Sequence, residues 1–248
     1  MNVLGIDIGG SALKGAPVDT AKGTLLAERF RVPTETVLTP AKVARAAREI
    51  VEHFDWKGPV GIGFPGVVRG ECILSSANLH PAFIGCNGEA LFRKALSLPV
   101  SLLNDADAAG LAEVAFGAGR GRKGTVLMLT FGTGVGSALF VDGRLYPNSE
   151  LGHLPMDGHP AEKRVSAAAK ERKGLSYKKW AGRVSDYLQV IETILFPQLI
   201  IVGGGISQEH AEWFKHLQIS TPVVPARFLN EAGIVGAALH AAGRPSGG

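Results

Sequence analysis

Two stretches of the sequence, residues 5–19 and 129–143, carry the same pattern of an apolar strand, a glycine-rich turn and a second strand. Both contain Ser-Ala-Leu after the turn and Val-Asp near the end. Short apolar runs separated by glycine turns are typical of strand hairpins. Because the pattern recurs far along the chain, it predicts two similar halves rather than one continuous sheet.

Each half continues with the same plan of helices and strands. In the first half, the pattern predicts helices opening at Thr39-Pro40 and around 89–96, and strands at 3–8, 12–18, 25–32, 59–64 and 100–103. In the second half it predicts helices over 184–195, from the glycines at 203–205 to about 217, and over 232–242, and strands at 125–131, 137–141, 144–146, 199–202 and 223–224. The predicted fold class is therefore α/β, with two domains, 1–112 and 113–248, each βββαβα, and a cleft between them. The final helix is a candidate to pack back on the first domain.

Asn104 and Asp105 close the strand predicted at 100–103 and precede an alanine-rich segment. Alanine has a high helix propensity, and an Asn-Asp pair is a good helix N-cap. The same position, the carboxyl end of a buried strand, is where open α/β sheets bind their ligands. From these residues alone, both a capping role and a ligand-binding role stay open.

Composition indicates a globular protein without a membrane-spanning helix. Of the 248 residues, 46% are hydrophobic and 19% charged, and the apolar runs are strand-sized. The first strand follows Met1 almost directly, without a signal-peptide pattern, so we expect a cytoplasmic location. Cys72 and Cys86 fit a reducing compartment, although a disulfide between them stays possible. The net charge of +4 favours an anionic partner only weakly.

Three glycine-rich turns could hold phosphate through their backbone N–H groups: 9–11, 132–136 and 203–205. No segment supplies the Walker A spacing, and the turn at 132–136 leads into a strand rather than a helix, which argues against a dinucleotide fingerprint. Each turn could also be only a tight turn. Their recurrence in matched halves favours the phosphate interpretation.

These segments together resemble a known superfamily. The turns at 7–14, 129–136 and 203–207 are similar to the phosphate-1, phosphate-2 and adenosine segments of the hexokinase–actin–Hsp70 superfamily. Asn104-Asp105 and Ser149-Glu-Leu-Gly-His153 resemble the ROK (repressor–open reading frame–kinase) sugar kinases. The resemblance implies two actin-like, ribonuclease H-like domains. It also implies phosphate or donor contacts at Asp7, Gly9, Gly10, Ser11, Lys14, Thr130, Gly132, Thr133, Gly134, Gly204 and Gly205.

The ROK resemblance further implies a sugar-binding and catalytic set. Asp105 would be the base that takes the proton of the sugar 6-hydroxyl, and Asp7 would orient a hydrated Mg²⁺. Sugar contacts would come from Asn78, Asn104, Asp105, Glu150, His153 and Glu162. Many ROK proteins carry a zinc-binding cysteine run after the Gly-His, but no cysteine occurs in residues 156–169 of this chain. We therefore expect no zinc.

Basic residues suggest which molecule donates the phosphoryl group. Such runs are usually solvated helix faces, but they could also form a track for a linear polyanion: Arg120, Arg122, Lys123, Lys163, Arg164 and Lys170. Several further segments, among them 104–113, 117–122, 166–181 and 221–225, resemble bacterial polyphosphate glucokinases. This resemblance implies glucose as acceptor, inorganic polyphosphate and possibly ATP as donor, Mg²⁺ as cofactor, a homodimer, and neither nucleic acid nor membrane as partner.

The resemblance also allows three other functions. An ATP-dependent ROK glucokinase or mannokinase is the nearest, and only donor assays separate it. A ROK repressor would need a DNA-binding segment before the first strand, which begins at Val3. A catalytically silent sugar sensor is disfavoured by the presence of Asp105 and both phosphate loops.

Overall fold

The computed structural model describes residues 1–34, 38–77 and 79–243. Asn78, a predicted sugar contact, lies outside the described residues. The chain forms two compact units: one is Met1–Ala112 together with the segment that begins at Glu231, and the other is Glu113–Asn230. Among the described residues, no helix is long and apolar enough to cross a membrane.

The first unit is a mixed sheet with helices. Its elements are β1 (Asn2–Ile8), β2 (Ala12–Asp19), β3 (Thr24–Leu25), β4 (Phe30–Pro33), α1 (Pro40–His53), β5 (Val60–Phe64), β6 (Val68–Arg69), β7 (Cys72–Ile73), α2 (Gly88–Leu96), β8 (Val100–Asn104), the start of α3 (Asp105–Ala115) and α8 (Ala232–Ala242). The strand order is β3-β2-β1-β5-β8, with β4 also pairing with β2. β1 and β2 are antiparallel, whereas β5 is parallel to both β1 and β8.

The second unit repeats this order. Its elements are β9 (Thr125–Phe131), β10 (Val135–Val141), β11 (Arg144–Tyr146), β12 (Pro155–Met156), β13 (His159–Pro160), α4 (Glu162–Val165), α5 (Ala167–Arg172), α6 (Tyr177–Leu195), β14 (Leu199–Gly203), α7 (His210–Trp213) and β15 (Val223–Pro225). The strand order is β11-β10-β9-β14-β15, again with an antiparallel hairpin followed by parallel strands. The predicted α/β class, with two ribonuclease H-like halves, is confirmed.

Helix α1 shows how the sequence determines one of these elements. Thr39 caps its start by accepting the backbone N–H of Lys42, and Pro40 occupies the first turn, where its missing N–H has no cost. The buried face recurs at helical spacing through Val43, Ala47 and Ile50. This face packs into the core of the first unit.

Helix α8 joins the first unit through backbone approaches that glycines permit. A Cβ at Gly5 would lie 2.0 Å from the carbonyl oxygen of Ile234, and one at Gly61 would lie 1.9 Å from that of Ala237. Helix α8 can therefore pack this closely against β1 and β5 only because these two positions lack side chains. The core of the second unit is instead built on large aromatics, with Trp180 and Trp213 ring centroids 4.6 Å apart and Phe131 against both.

Two predicted elements were wrong in detail. The strand expected at 25–32 is two short strands, β3 and β4, which pair with different parts of β2. The helix expected up to residue 217 is mostly 3₁₀, with one short α segment, α7. Glycines at 203–205 and the absence of a sustained apolar face explain why a regular helix does not form there.

Candidate active site

Asn104 and Asp105 lie where β8 passes into α3. The side-chain oxygen of Asn104 accepts the backbone N–H of Asp107 at 3.0 Å, so Asn104 is the N-cap that the sequence allowed. Its amide nitrogen donates to the carbonyl oxygen of Gly66 at 3.1 Å. Asn104 is buried and Asp105 is half-buried in the first helical turn. The cap thus fixes the direction in which Asp105 leaves the sheet.

Asp7 lies at the same edge of the sheet, two strands away. On β5, Gly63 pairs with Asp7 on one side and with Leu103 on the other. A Cβ at Gly63 would lie 3.8 Å from Asp7 Oδ1 and 3.6 Å from the Cα of Asp105. Gly63 therefore lies between the Asp7 carboxyl group and the backbone of Asp105.

Burial raises the pKa of Asp7, and the charge of Lys14, its cross-strand neighbour, partly offsets that rise. Gly233, at the start of α8, lies so close that an added Cβ would be 2.9 Å from Asp7 Cγ. Gly233 has no local sequence signal, because it is one small residue in an alanine-rich helix. Only the fold brings it to Asp7.

The first glycine turn joins β1 to β2. The N–H of Gly9 donates to the carbonyl of Ala12 at 3.0 Å, so it closes the turn itself. The carbonyl oxygens of Gly10 and Ser11 accept from Thr34. Gly10 and Ser11 are exposed, and their N–H groups are the ones this turn can offer to an anion.

The matching turn of the second unit, 132–134, joins β9 to β10 and is held from two sides. The carbonyl of Gly132 accepts the N–H of Ala168 in α5 at 3.1 Å. Gly204 has a φ of +81°, and a Cβ there would lie 2.4 Å from the carbonyl oxygen of Phe131. Only glycine fits this position, which brings the third glycine turn against the end of β9 beside Thr130.

Glu150 and His153 lie in a turn bound to β10. Their side chains approach to 3.4 Å between Glu150 Oε2 and His153 Nδ1. The hydroxyl of Ser137 accepts the N–H of Leu151 at 2.8 Å, and Gly152 lies so close to β10 that a Cβ would be 2.1 Å from the carbonyl oxygen of Val135. These contacts hold the predicted sugar-binding turn beside the start of β10.

Glu162 reaches the same strand from α4. Its Oε2 accepts the N–H of Val135 at 3.3 Å and would lie 2.4 Å from a Cβ at Gly134. The second unit therefore brings Glu150, His153 and Glu162 together with the turn at 132–134. This grouping joins predicted sugar and phosphate residues that are separated in sequence.

The six basic residues of the predicted track do not form one group. Lys163 lies 3.9 Å from Glu162, Lys170 lies 4.1 Å above the Tyr177 ring, and Arg164 is ion-paired with Asp157 and Asp186. Arg120, Arg122 and Lys123 precede β9, whereas the turn at 132–134 follows it. The seven residues of β9 separate these two groups by about 20 Å.

The first unit offers a donor set that fits a divalent cation bound mainly through water. Mg²⁺ commonly keeps several waters and takes one or two carboxylates together with phosphate oxygens. Asp7, at the end of β1 beside Gly63, supplies such a carboxylate. In the part of the chain that the structure describes, no three His, Cys, Asp or Glu side chains cluster as metal ligands.

Comparison with known proteins identifies the family. A profile of the ROK family matches residues 3–172. The chain belongs to the ROK family. A relative named polyphosphate glucokinase, from Mycobacterium tuberculosis, is 45% identical to this ROK protein over 236 residues, which cover 95% of this chain and 89% of the relative. The resemblance drawn from the sequence motifs is confirmed.

Two solved structures share the fold. The inorganic polyphosphate/ATP-glucomannokinase of Arthrobacter sp. strain KM is 48% identical, with a TM-score of 0.94 over 97% of this chain and 98% of that one. A ROK glucokinase from Streptomyces griseus, solved with glucose and AMPPNP, has a TM-score of 0.81 over 98% and 99% of the two chains. At 23% identity, the second likeness shows the fold alone.

Proposed function

We propose that this ROK protein is a polyphosphate-dependent glucokinase, which transfers the terminal phosphoryl group of inorganic polyphosphate to the 6-hydroxyl of glucose. The observation that carries the proposal is 45% identity, over 95% of the chain, to a relative named polyphosphate glucokinase. The structural neighbour named as a polyphosphate/ATP-glucomannokinase supports ATP as a second donor and mannose as a second acceptor.

Asp105 is assigned as the general base. As the terminal P–O–P linkage breaks, a bond forms between phosphorus and the sugar O6, the hydroxyl proton passes to the Asp105 carboxylate, and polyphosphate shortened by one unit leaves. Asp105 suits this role because it is half-buried in the first turn of α3, directly after β8, and is oriented by the cap at Asn104.

Sugar binding is assigned to Asn104, Glu150, His153 and Glu162. Asn104 still has a second N–H and a second lone pair after its bonds to Gly66 and Asp107. The approach of Glu150 to His153 Nδ1 leaves Nε2 for a sugar hydroxyl. Asn78 stays a predicted contact from the sequence.

Phosphate binding is assigned to the N–H groups of the turns at 9–11 and 132–134, with Lys14, Thr130, Gly204 and Gly205 beside them. A divalent cation, predicted to be Mg²⁺, would be held through Asp7 and would offset the negative charge of the phosphoryl donor. The homodimer implied by the resemblance stays a prediction, as do the cytoplasmic location and the lack of zinc expected from the sequence; light scattering, fractionation and metal analysis test them.

A coupled assay for glucose 6-phosphate tests the proposal. The purified protein is supplied with Mg²⁺, glucose or mannose, and either polyphosphate or ATP. We expect turnover with polyphosphate and glucose. Turnover on ATP alone would make the protein an ATP-dependent ROK glucokinase, and no turnover on either donor would favour a sugar sensor.

A further inference from the structure

Four basic residues of the second unit lie just before β9 or at the start of β11: Arg120, Arg122, Lys123 and Arg144, here named the distal basic cluster. All four are exposed. Lys123 and Arg144 line a single cavity of about 550 Å³, whose other lining residues are Val141, Asp142, Leu145 and Tyr146. The two residues therefore border the same space, although they come from different segments.

The side chains of the distal basic cluster have no ion-pair or hydrogen-bond partner within residues 1–34, 38–77 and 79–243. The carboxylate of Asp142, which also lines the cavity, accepts the N–H of Gly124 at 2.8 Å. By contrast, Arg164 is bound to two carboxylates. Clustered like charges repel one another, so an arriving anion would relieve that repulsion.

The cluster is too far from the phosphate turn to bind the same phosphate group. Lys123 precedes β9 and Gly132 follows it, and the intervening strand is about 20 Å long. A nucleotide bound at 132–134 would not extend over this distance. A long linear polyanion would.

We propose that the distal basic cluster is a second binding site for inorganic polyphosphate, which holds a part of the chain remote from the phosphoryl group that is transferred. This inference rests on the proposed function. Polyphosphate fits better than single-stranded nucleic acid because Tyr146 is the one aromatic residue among the described residues that line the cavity, whereas nucleic acid sites combine cations with several stacking platforms.

With two binding sites on the protein, the length of the polyphosphate determines whether one molecule reaches both. A polyphosphate long enough to reach both sites gains affinity because its second contact is intramolecular. Short polyphosphates and ATP reach only the transfer site. The Michaelis constant for polyphosphate should therefore fall as the chain lengthens, and the effect should weaken at high salt.

The test compares Lys123→Gln/Arg144→Gln with a matched control, Arg45→Gln/Lys57→Gln. The control also removes two cations, from exposed positions of the first unit. We expect the first variant to raise the KM for long-chain polyphosphate roughly five- to tenfold at low salt, with kcat unchanged. KM for tripolyphosphate and ATP should not change, and the control should behave as the unmodified protein.

Calorimetric titration of long-chain polyphosphate without glucose keeps the inference testable if the enzyme uses only ATP. Binding lost in Lys123→Gln/Arg144→Gln and kept in the control supports the second site whatever the donor is. An unchanged KM for long chains, or an equal rise for short ones, overturns the inference but leaves the proposed function standing. Equal competition by single-stranded DNA would also overturn it, in favour of a nucleic acid site.

Discussion

Asn104 and Asp107 are joined by a 3.0 Å hydrogen bond from the Asp107 backbone N–H to the Asn104 side-chain oxygen. The same side chain reaches the buried carbonyl of Gly66, so one amide links β8, α3 and the loop after β5. A capping role and a site role were alternatives from the sequence. In the structure, the cap is the means by which Asp105 is positioned.

Two substitutions of Asn104 should separate the contributions of its two hydrogen bonds to the free energy of unfolding. Asn104→Ala loses the cap and leaves the Gly66 carbonyl without its donor, which together should lower the free energy of unfolding by about 2–4 kcal/mol. Asn104→Ser keeps a side-chain oxygen for the cap and should lose only the stabilisation from the hydrogen bond to the Gly66 carbonyl. Denaturant unfolding measures both, and equal losses would show that the cap contributes nothing.

Asp105→Asn should remove most turnover because an amide cannot accept the sugar proton. We expect kcat to fall roughly 10²- to 10⁴-fold, with the dissociation constant for glucose little changed. A coupled assay for glucose 6-phosphate measures kcat, and calorimetry measures the dissociation constant for glucose. Asp55→Asn, at an exposed position of the same unit, is the control. Near-normal turnover in Asp105→Asn would assign the base to another residue.

The sequence predicted the features that are local and missed those that depend on tertiary contact. The two hairpins and α1 follow from apolar periodicity, glycine turns and the cap at Thr39. The approach of Gly233 to Asp7, the close fit of Gly61 under α8 and the pairing of Arg164 with Asp157 and Asp186 have no local signal. From the sequence, a glycine that contacts another segment cannot be told from its small neighbours in the helix. Likewise, an ion-paired cation cannot be told from the other cations of a basic run.

Glu113 is a buried carboxylate that the sequence did not mark as important. It accepts the N–H groups of Arg227, Phe228 and Ala118 at 2.7–2.8 Å. Glu113→Gln places an NH₂ against at least one of these donors, so the free energy of unfolding should fall by about 2–4 kcal/mol. Glu52→Gln, at an exposed position of α1, should change it by less than about 0.5 kcal/mol. Equal stability of the two variants would contradict this role.

Glu192 should make stability depend on pH. Burial acts to raise its pKa, but hydrogen bonds from Thr221 and from the backbone N–H of Ser220 outweigh it and hold the pKa below the ordinary value of 4.5. A carboxylate with a lowered folded pKa stabilises the protein above the unfolded pKa, and that contribution is lost as pH falls through the folded pKa. The difference in unfolding free energy between the unmodified protein and Glu192→Gln should therefore be largest near neutral pH and should decrease below about pH 4. A difference that is constant with pH would show that these bonds do not favour the charged form.

Gly233→Ala should impair activity without unfolding the protein. The added Cβ would lie 2.9 Å from Cγ and 3.0 Å from Oδ1 of Asp7, so the Asp7 carboxyl must move, while alanine in the first turn of α8 favours the helix. Gly61→Ala is the contrasting variant because its Cβ would lie 1.9 Å from the backbone oxygen of Ala237, which cannot move without shifting α8. We expect Gly233→Ala to keep the unfolding temperature and lose kcat, and Gly61→Ala to lose stability by about 1–3 kcal/mol or more. Because Asp7 is assigned to the cation beside the donor phosphates, full activity in Gly233→Ala would show that the position of its carboxyl does not limit phosphoryl transfer.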